Sequence, residues 1–94
     1  MHNASQQPIA PTDFASFKQM IAARVIVFSG LEERVARLAL DKPEAIAFGT
    51  LQSVAKECAV GRTTVFRVAQ ATGFDGFADF KTMFVQHVRS RNTV

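Results

Sequence analysis

The chain has a single cysteine, Cys58, and only two histidines, His2 and His87. One thiol cannot close an internal disulfide, and these three residues fall short of the four ligands of a structural zinc site. With neither staple on hand, a packed core must hold the fold. Long apolar runs are missing too. A spanning helix needs about 18 consecutive apolar residues, whereas the longest apolar patch, Ile21 to Phe28, is broken by Arg24. No membrane partner is therefore expected. The N-terminal MHNASQQPIAP lacks a basic stretch leading into an apolar one, which argues against a secretory signal and for a cytoplasmic location. At 94 residues there is room for one domain, too little for a large multi-step enzyme.

Acidic residues are scarce in one half only. Residues 1 to 47 carry five Lys/Arg and five Asp/Glu, and residues 48 to 94 carry six against three, so the whole net charge of +3 sits in the second half. A polyanion, if met at all, is met there. A surplus of this size is shared by many domains that never touch nucleic acid, so the charge alone decides nothing.

What the chain has in quantity is apolar residues, 48% of the total, enough for a core and too many for a disordered segment. Residues 1 to 11, polar with Pro8 and Pro11, are expected to form a disordered arm, residues 12 to 90 the domain, and residues 91 to 94 a tail or the start of a linker. Thr12 offers a cap to a first helix, Asp13 favours its positive end, and Phe14, Phe17, Ile21, Val25 and Phe28 recur at spacings of three and four. Ser29 and Glu32 have the spacing of a capping box for a second helix, with Leu31, Val35, Leu38 and Ala39 inward and an end before Pro43. Glu44 to Phe48 is long enough for little more than one turn. Thr50 caps a short helix that buries Leu51, Val54, Ala55 and Cys58.

After Ala59, Val60 and Gly61, residues 62 to 72 form another amphipathic segment, with Val65, Val68, Ala69 and Thr72 inward and Gly73 as a left-handed end on which Phe74 folds back. Asp75 is expected to cap the last helix, whose stripe is Phe77, Phe80, Phe84 and Val88, with Lys81 and Arg89 outside. No segment keeps a strand period. The expected class is all-α, a helix-turn-helix bundle of five to six helices.

Two short helices joined by a turn of about three residues, the second opening with hydroxyl and basic side chains, match the helix-turn-helix reader of duplex DNA. Arg62, Thr63 and Thr64 would then meet phosphates from the first turn of the second helix, with Arg67 on the same exposed side, able to reach a guanine edge or a phosphate. Thr50 and Gln52 open the preceding helix and complete the candidate DNA-binding set. The same pattern also fits a plain helical hairpin in an interaction or dimerisation module, with those residues as a solvated face.

The stretch from Phe28 to Val88 resembles the N-terminal DNA-binding domain of the RpiR family of bacterial transcriptional regulators. The resemblance is carried by FSGLEERVA, KPEAIAF, TLQSVAKECAVGRTTVFRVAQATGF and, most specifically, GFDGFADFK at 73 to 81. It implies an all-helical, sequence-specific DNA-binding domain, a recognition helix at about 62 to 72 lying in the major groove, and a place in sugar or carbon metabolism. In the family this domain precedes one of sugar-isomerase type, so a phosphosugar effector would act only through a C-terminal domain that these 94 residues do not include. Family members usually have glycine where this chain has Ala59, and a capping serine where it has Gly61. Glycine is a tolerable cap. Alanine at positive φ is costly, so the turn is either shifted by a residue or strained.

Other chemistry finds little support. The nine phenylalanines, unaccompanied by Trp or Tyr, could stack on unpaired bases, but their helical spacing favours a core. Cys58, beside Glu57, has no basic partner placed to activate it and reads as a small buried hydrophobe. No acid-base pair or nucleophile with an orienting partner can be assembled, so no enzymatic activity, cofactor or metal is expected. A homodimer is expected through the first helix, because Ile21 to Phe28 is apolar around more of its circumference than one neighbour covers.

Overall fold

The computed structural model describes residues 9 to 28 and 30 to 92. Among them are six helices and no strand: α1 (Phe14–Ala22), α2 (Leu31–Asp41), α3 (Pro43–Ala47), α4 (Leu51–Cys58), α5 (Arg62–Ala71) and α6 (Phe77–Asn92). None is long and apolar enough to cross a membrane. The all-α bundle expected from the sequence is the observed class.

α1 is capped by Asp13 rather than Thr12: the Asp13 carboxylate accepts the Ser16 amide at 2.8 Å, and hydrogen bonding to Ser16, its side chain first and its amide second, holds the carboxyl pKa below the usual value. α1 also stops six residues short of Phe28. β-branched Val25, Ile26 and Val27 lose side-chain freedom in a helix, and the chain bends there, burying Ile26 while Val25 and Val27 face solvent. The three-and-four spacing that placed Val25 inward is thus overruled, although Phe28 still packs against the core. Of the capping box proposed for α2, Ser29 lies outside the described residues; Gly30 holds the N-cap position and Glu32 lies in the first turn. Pro43 separates α2 from α3 and opens α3 itself.

α3 lies along α6, α2 packs on α4 and α5, and α1 leans on α6. Phe17, Phe80 and Phe84 are fully buried at the centre. Their rings meet edge to face, with centroids 4.9 Å apart for Phe80–Phe84 and 5.6 Å for Phe17–Phe84, an arrangement worth about 0.5–1.5 kcal/mol per pair beyond the area buried. The core reading of the phenylalanines holds except at Phe48 and Phe66, which are exposed.

Three helices end in the same way. Past α1, the Arg24 amide donates to Ile21 and the Val25 amide to Met20; past α4, Ala59 donates to Lys56 and Val60 to Ala55; past α5, Gly73 donates to Gln70 and Phe74 to Ala69. These paired bonds define the Schellman closure, which puts one residue in the left-handed region. Gly73, at φ 108°, suits that position; Arg24 at 62° and Ala59 at 58° adopt it without glycine's freedom. The last helix departs from expectation at its start. Gly76, not Asp75, supplies the carbonyl that accepts the first α6 bond, from the Phe80 amide.

Candidate nucleic-acid interface

α4, the turn Ala59-Val60-Gly61 and α5 form the two-helix unit anticipated from the sequence. α4 starts with a reciprocal cap: Thr50 Oγ1 accepts the Ser53 amide at 3.0 Å and Ser53 Oγ accepts the Thr50 amide at 2.8 Å. The Thr50 oxygen is therefore partly committed to its own helix, while Gln52 beside it is exposed. Just upstream, Gly49 sits where a Cβ would strike the Ala45 carbonyl and lie 2.9 Å from Ser53 Oγ. Its carbonyl accepts the ammonium of Lys81. Lys81, expected outside, thus spans from α6 to the bend before α4.

The turn keeps the ordinary register and carries the strain. Ala59 adopts φ 58°, ψ 45°, a conformation costing an alanine about 1–2 kcal/mol. Arg34 on α2 braces this end twice: its guanidinium approaches the Ala59 carbonyl at 3.5 Å and its own carbonyl faces Cys58 Sγ at 3.8 Å. Burial pushes the Cys58 thiol pKa up, with Glu57 adding to the rise and Arg34 opposing it. A raised thiol pKa is the reverse of what a nucleophile needs.

Gly61, in extended geometry, is the N-cap of α5 and offers no side-chain bond. At 100° per residue, Val65, Val68, Ala69 and Thr72 occupy a buried sector of about 100°, and all four are fully buried. The Thr72 hydroxyl is satisfied by the Val68 carbonyl at 2.7 Å. Opposite them, counting from Arg62 as zero, lie Phe66 at about 40°, Gln70 at about 80°, Thr63 at about 100° and Arg67 at about 140°; all five are exposed. Arg62 and Arg67 therefore do not share one side, as their separation of five residues had suggested; they mark the two margins of one outward arc. Thr64, about 60° beyond Arg67, is half-buried, and its amide donates to Gly61 at 3.1 Å.

Among the described residues, neither Arg62 nor Arg67 lies within ion-pair distance of a carboxylate; the surface pairs are Arg37–Glu33 and Arg91–Glu44. Neither α4 nor α5 has an acidic residue in its first turn. Arg62 thus stands at the positive end of α5, and among the described residues no carboxylate pairs with it or with Arg67. The sequence reading omitted Phe66 and Gln70. The signal was present, since Gln70 follows Thr63 by seven residues and Arg67 by three, the spacing of one helical face.

Residues 17–91 match the family model described as the helix-turn-helix domain of the rpiR family. No curated protein and no solved structure matches the chain. The matched span takes in α2 to α5 whole and α6 as far as Arg91, with the capped α4, the strained turn and the open outer arc of α5, and the chain belongs to the rpiR family of helix-turn-helix domains.

Proposed function

We propose that this domain binds duplex DNA sequence-specifically as the operator-reading part of a bacterial transcriptional regulator, with α5 in the major groove. The observation that carries the reading is the outward arc of α5: two uncompensated arginines at its margins, no acidic residue on it, and a width that suits a groove about 12 Å across. Arg62, Thr63 and Thr64 meet phosphates with the help of the first-turn amides, and Thr50 and Gln52 do the same from the start of α4. By family resemblance the regulated genes serve sugar or carbon metabolism in the cytoplasm, and a phosphosugar effector acts through a separate C-terminal domain. Fluorescence anisotropy with a labelled random-sequence duplex at rising salt tests the reading. Binding should weaken steeply with salt, as counterion release requires. Absence of binding at low salt would leave the alternative, a helical interaction module.

A second copy of the chain is the other partner proposed. Its support is now the bent segment after α1 rather than a helical face: Val25 and Val27 are 59% and 63% exposed. Val27 borders a groove of about 440 Å³ shared with Phe28 and Leu40 and rimmed by Arg24, Glu33 and Asp41. Charges of both signs around an apolar floor suit an isologous contact, in which each copy's arginine meets the other's carboxylates.

A further inference from the structure

We infer that Phe66 and Gln70 select bases on the outer arc of α5, Phe66 against thymine and Gln70 on adenine, while the two arginines hold the groove walls. The inference rests on the duplex-binding reading and adds to it which side chains carry sequence preference. A helix about 10–12 Å across fills the major groove, so its lateral margins face the phosphate walls and the middle of its arc faces the floor. Arg62 and Arg67 occupy those margins. Between them lie Phe66, Gln70 and Thr63, all uncharged; Thr63, in the first turn of α5, stays with the phosphates at the helix start, which leaves Phe66 and Gln70 for the floor.

Gln70, near the middle of the arc, is exposed, and its carboxamide has no hydrogen-bond partner among the described residues. A free carboxamide donates and accepts side by side, matching the N7 acceptor and N6 donor of adenine and no other base in the same register. Phe66 is 38% exposed on a face that is otherwise polar. Its ring lies near the bend before α6, where a Cβ built on Gly76 would stand 3.7 Å from Phe66 Cε1. An aromatic edge exposed on this arc has one apolar feature to meet on the groove floor, the C5 methyl of thymine. The two residues are one turn apart, about 6 Å along the helix, so they address base pairs about two steps apart at about 3.4 Å each.

The test begins with selection from a randomised duplex pool by the whole chain, followed by replacement of each thymine in the selected duplex by uracil, which deletes only the methyl group. At one or two positions uracil should weaken binding about three- to fourfold, the size expected for one buried methyl, and Phe66→Ala should bind the two duplexes equally. Gln70→Ala should lose preference for adenine at a position about two steps away by about 5- to 150-fold, the range of a good bidentate contact. If uracil is tolerated at every thymine, or Phe66→Ala responds to it as the parent does, the assignment of Phe66 is wrong. Retained adenine preference in Gln70→Ala removes Gln70. The uracil series on the parent protein needs no folded variant. A pool that shows no enrichment and no salt-dependent binding overturns the duplex reading itself, which separates that failure from a wrong choice of reading residues.

Discussion

The Lys81 ammonium on α6 donates to the carbonyl of Gly49, tying the last helix to the bend between α3 and α4. That bend sets the direction in which α4 leaves, and through the turn at residue 59 the placement of α5. Lys81→Met should cost about 1–3 kcal/mol by leaving a part-buried carbonyl without its charged donor. Gly49→Ala should cost at least as much, because the atoms a new Cβ would meet include the Ala45 backbone, which cannot rotate aside. Thermal melts of the two variants measure both.

Ala59→Gly should stabilise the domain by roughly 1 kcal/mol, since glycine accepts φ 58° without a Cβ clash. Gly61→Ser should add a few tenths of a kcal/mol: its φ is −79° and a Cβ there meets nothing within 4 Å. Denaturant midpoints of the single and double variants give the two increments. A loss of stability in Ala59→Gly would contradict the strained turn.

His87 is stacked on Phe14, with ring centroids 4.1 Å apart. Its pKa is lowered by burial first, then by Arg91 and Lys18, with Glu44 on α3 pulling the other way. The folded state therefore binds the proton less readily than the unfolded chain, whose histidine titrates near 6.5. Stability from this group is complete above that value and falls as the pH drops through it toward the lower folded pKa. Melting temperatures between pH 8 and pH 5 should decline on the acid side, and His87→Phe should reduce the decline; an unchanged slope would assign it to other groups.

Arg62→Ala and Arg67→Ala should each weaken binding to all duplex sequences alike and reduce the salt slope by about one. Anisotropy titrations at several salt concentrations read both effects. An Arg67→Ala variant that instead loses preference at one guanine would move that side chain from the groove wall to the floor.

Val25→Asp and Val27→Asp should disrupt self-association while leaving the helices intact. Sedimentation at micromolar concentration, beside circular dichroism, separates the two. A parent that sediments only as a 10.3 kDa species would remove the proposed dimer.

Local chemistry explains what could be read from the chain. Thr50, Pro43 and Gly73 mark helix ends through their own backbone and side-chain preferences, and Val65, Val68 and Thr72 keep one helical face without help from distant residues. At 23 to 28 two patterns overlap. Ile21, Val25 and Phe28 fit a helix, whereas Val25, Ile26 and Val27 fit an alternating extended path, and only the pocket that receives Ile26 decides between them. The Lys81–Gly49 bond joins positions 32 residues apart and leaves no periodic trace. On α5, the presence of arginine was legible; their opposite margins required following the helix around its axis, which also brings Phe66 and Gln70 into view.

The left-handed closures at Arg24 and Ala59 also bear on how such a chain can drift. Every arginine and every alanine codon lies a single base change from glycine, and glycine relieves either position at no steric cost. A lineage carrying these two residues therefore holds stability in reserve, each site worth about 1 kcal/mol once glycine's extra freedom in the unfolded chain is set against the relieved strain. That amount is similar to the typical loss from one unfavourable substitution. Exchanges on the outer arc of α5 that alter what it contacts can thus be compensated at a distance, by a change that touches neither the core nor the arc.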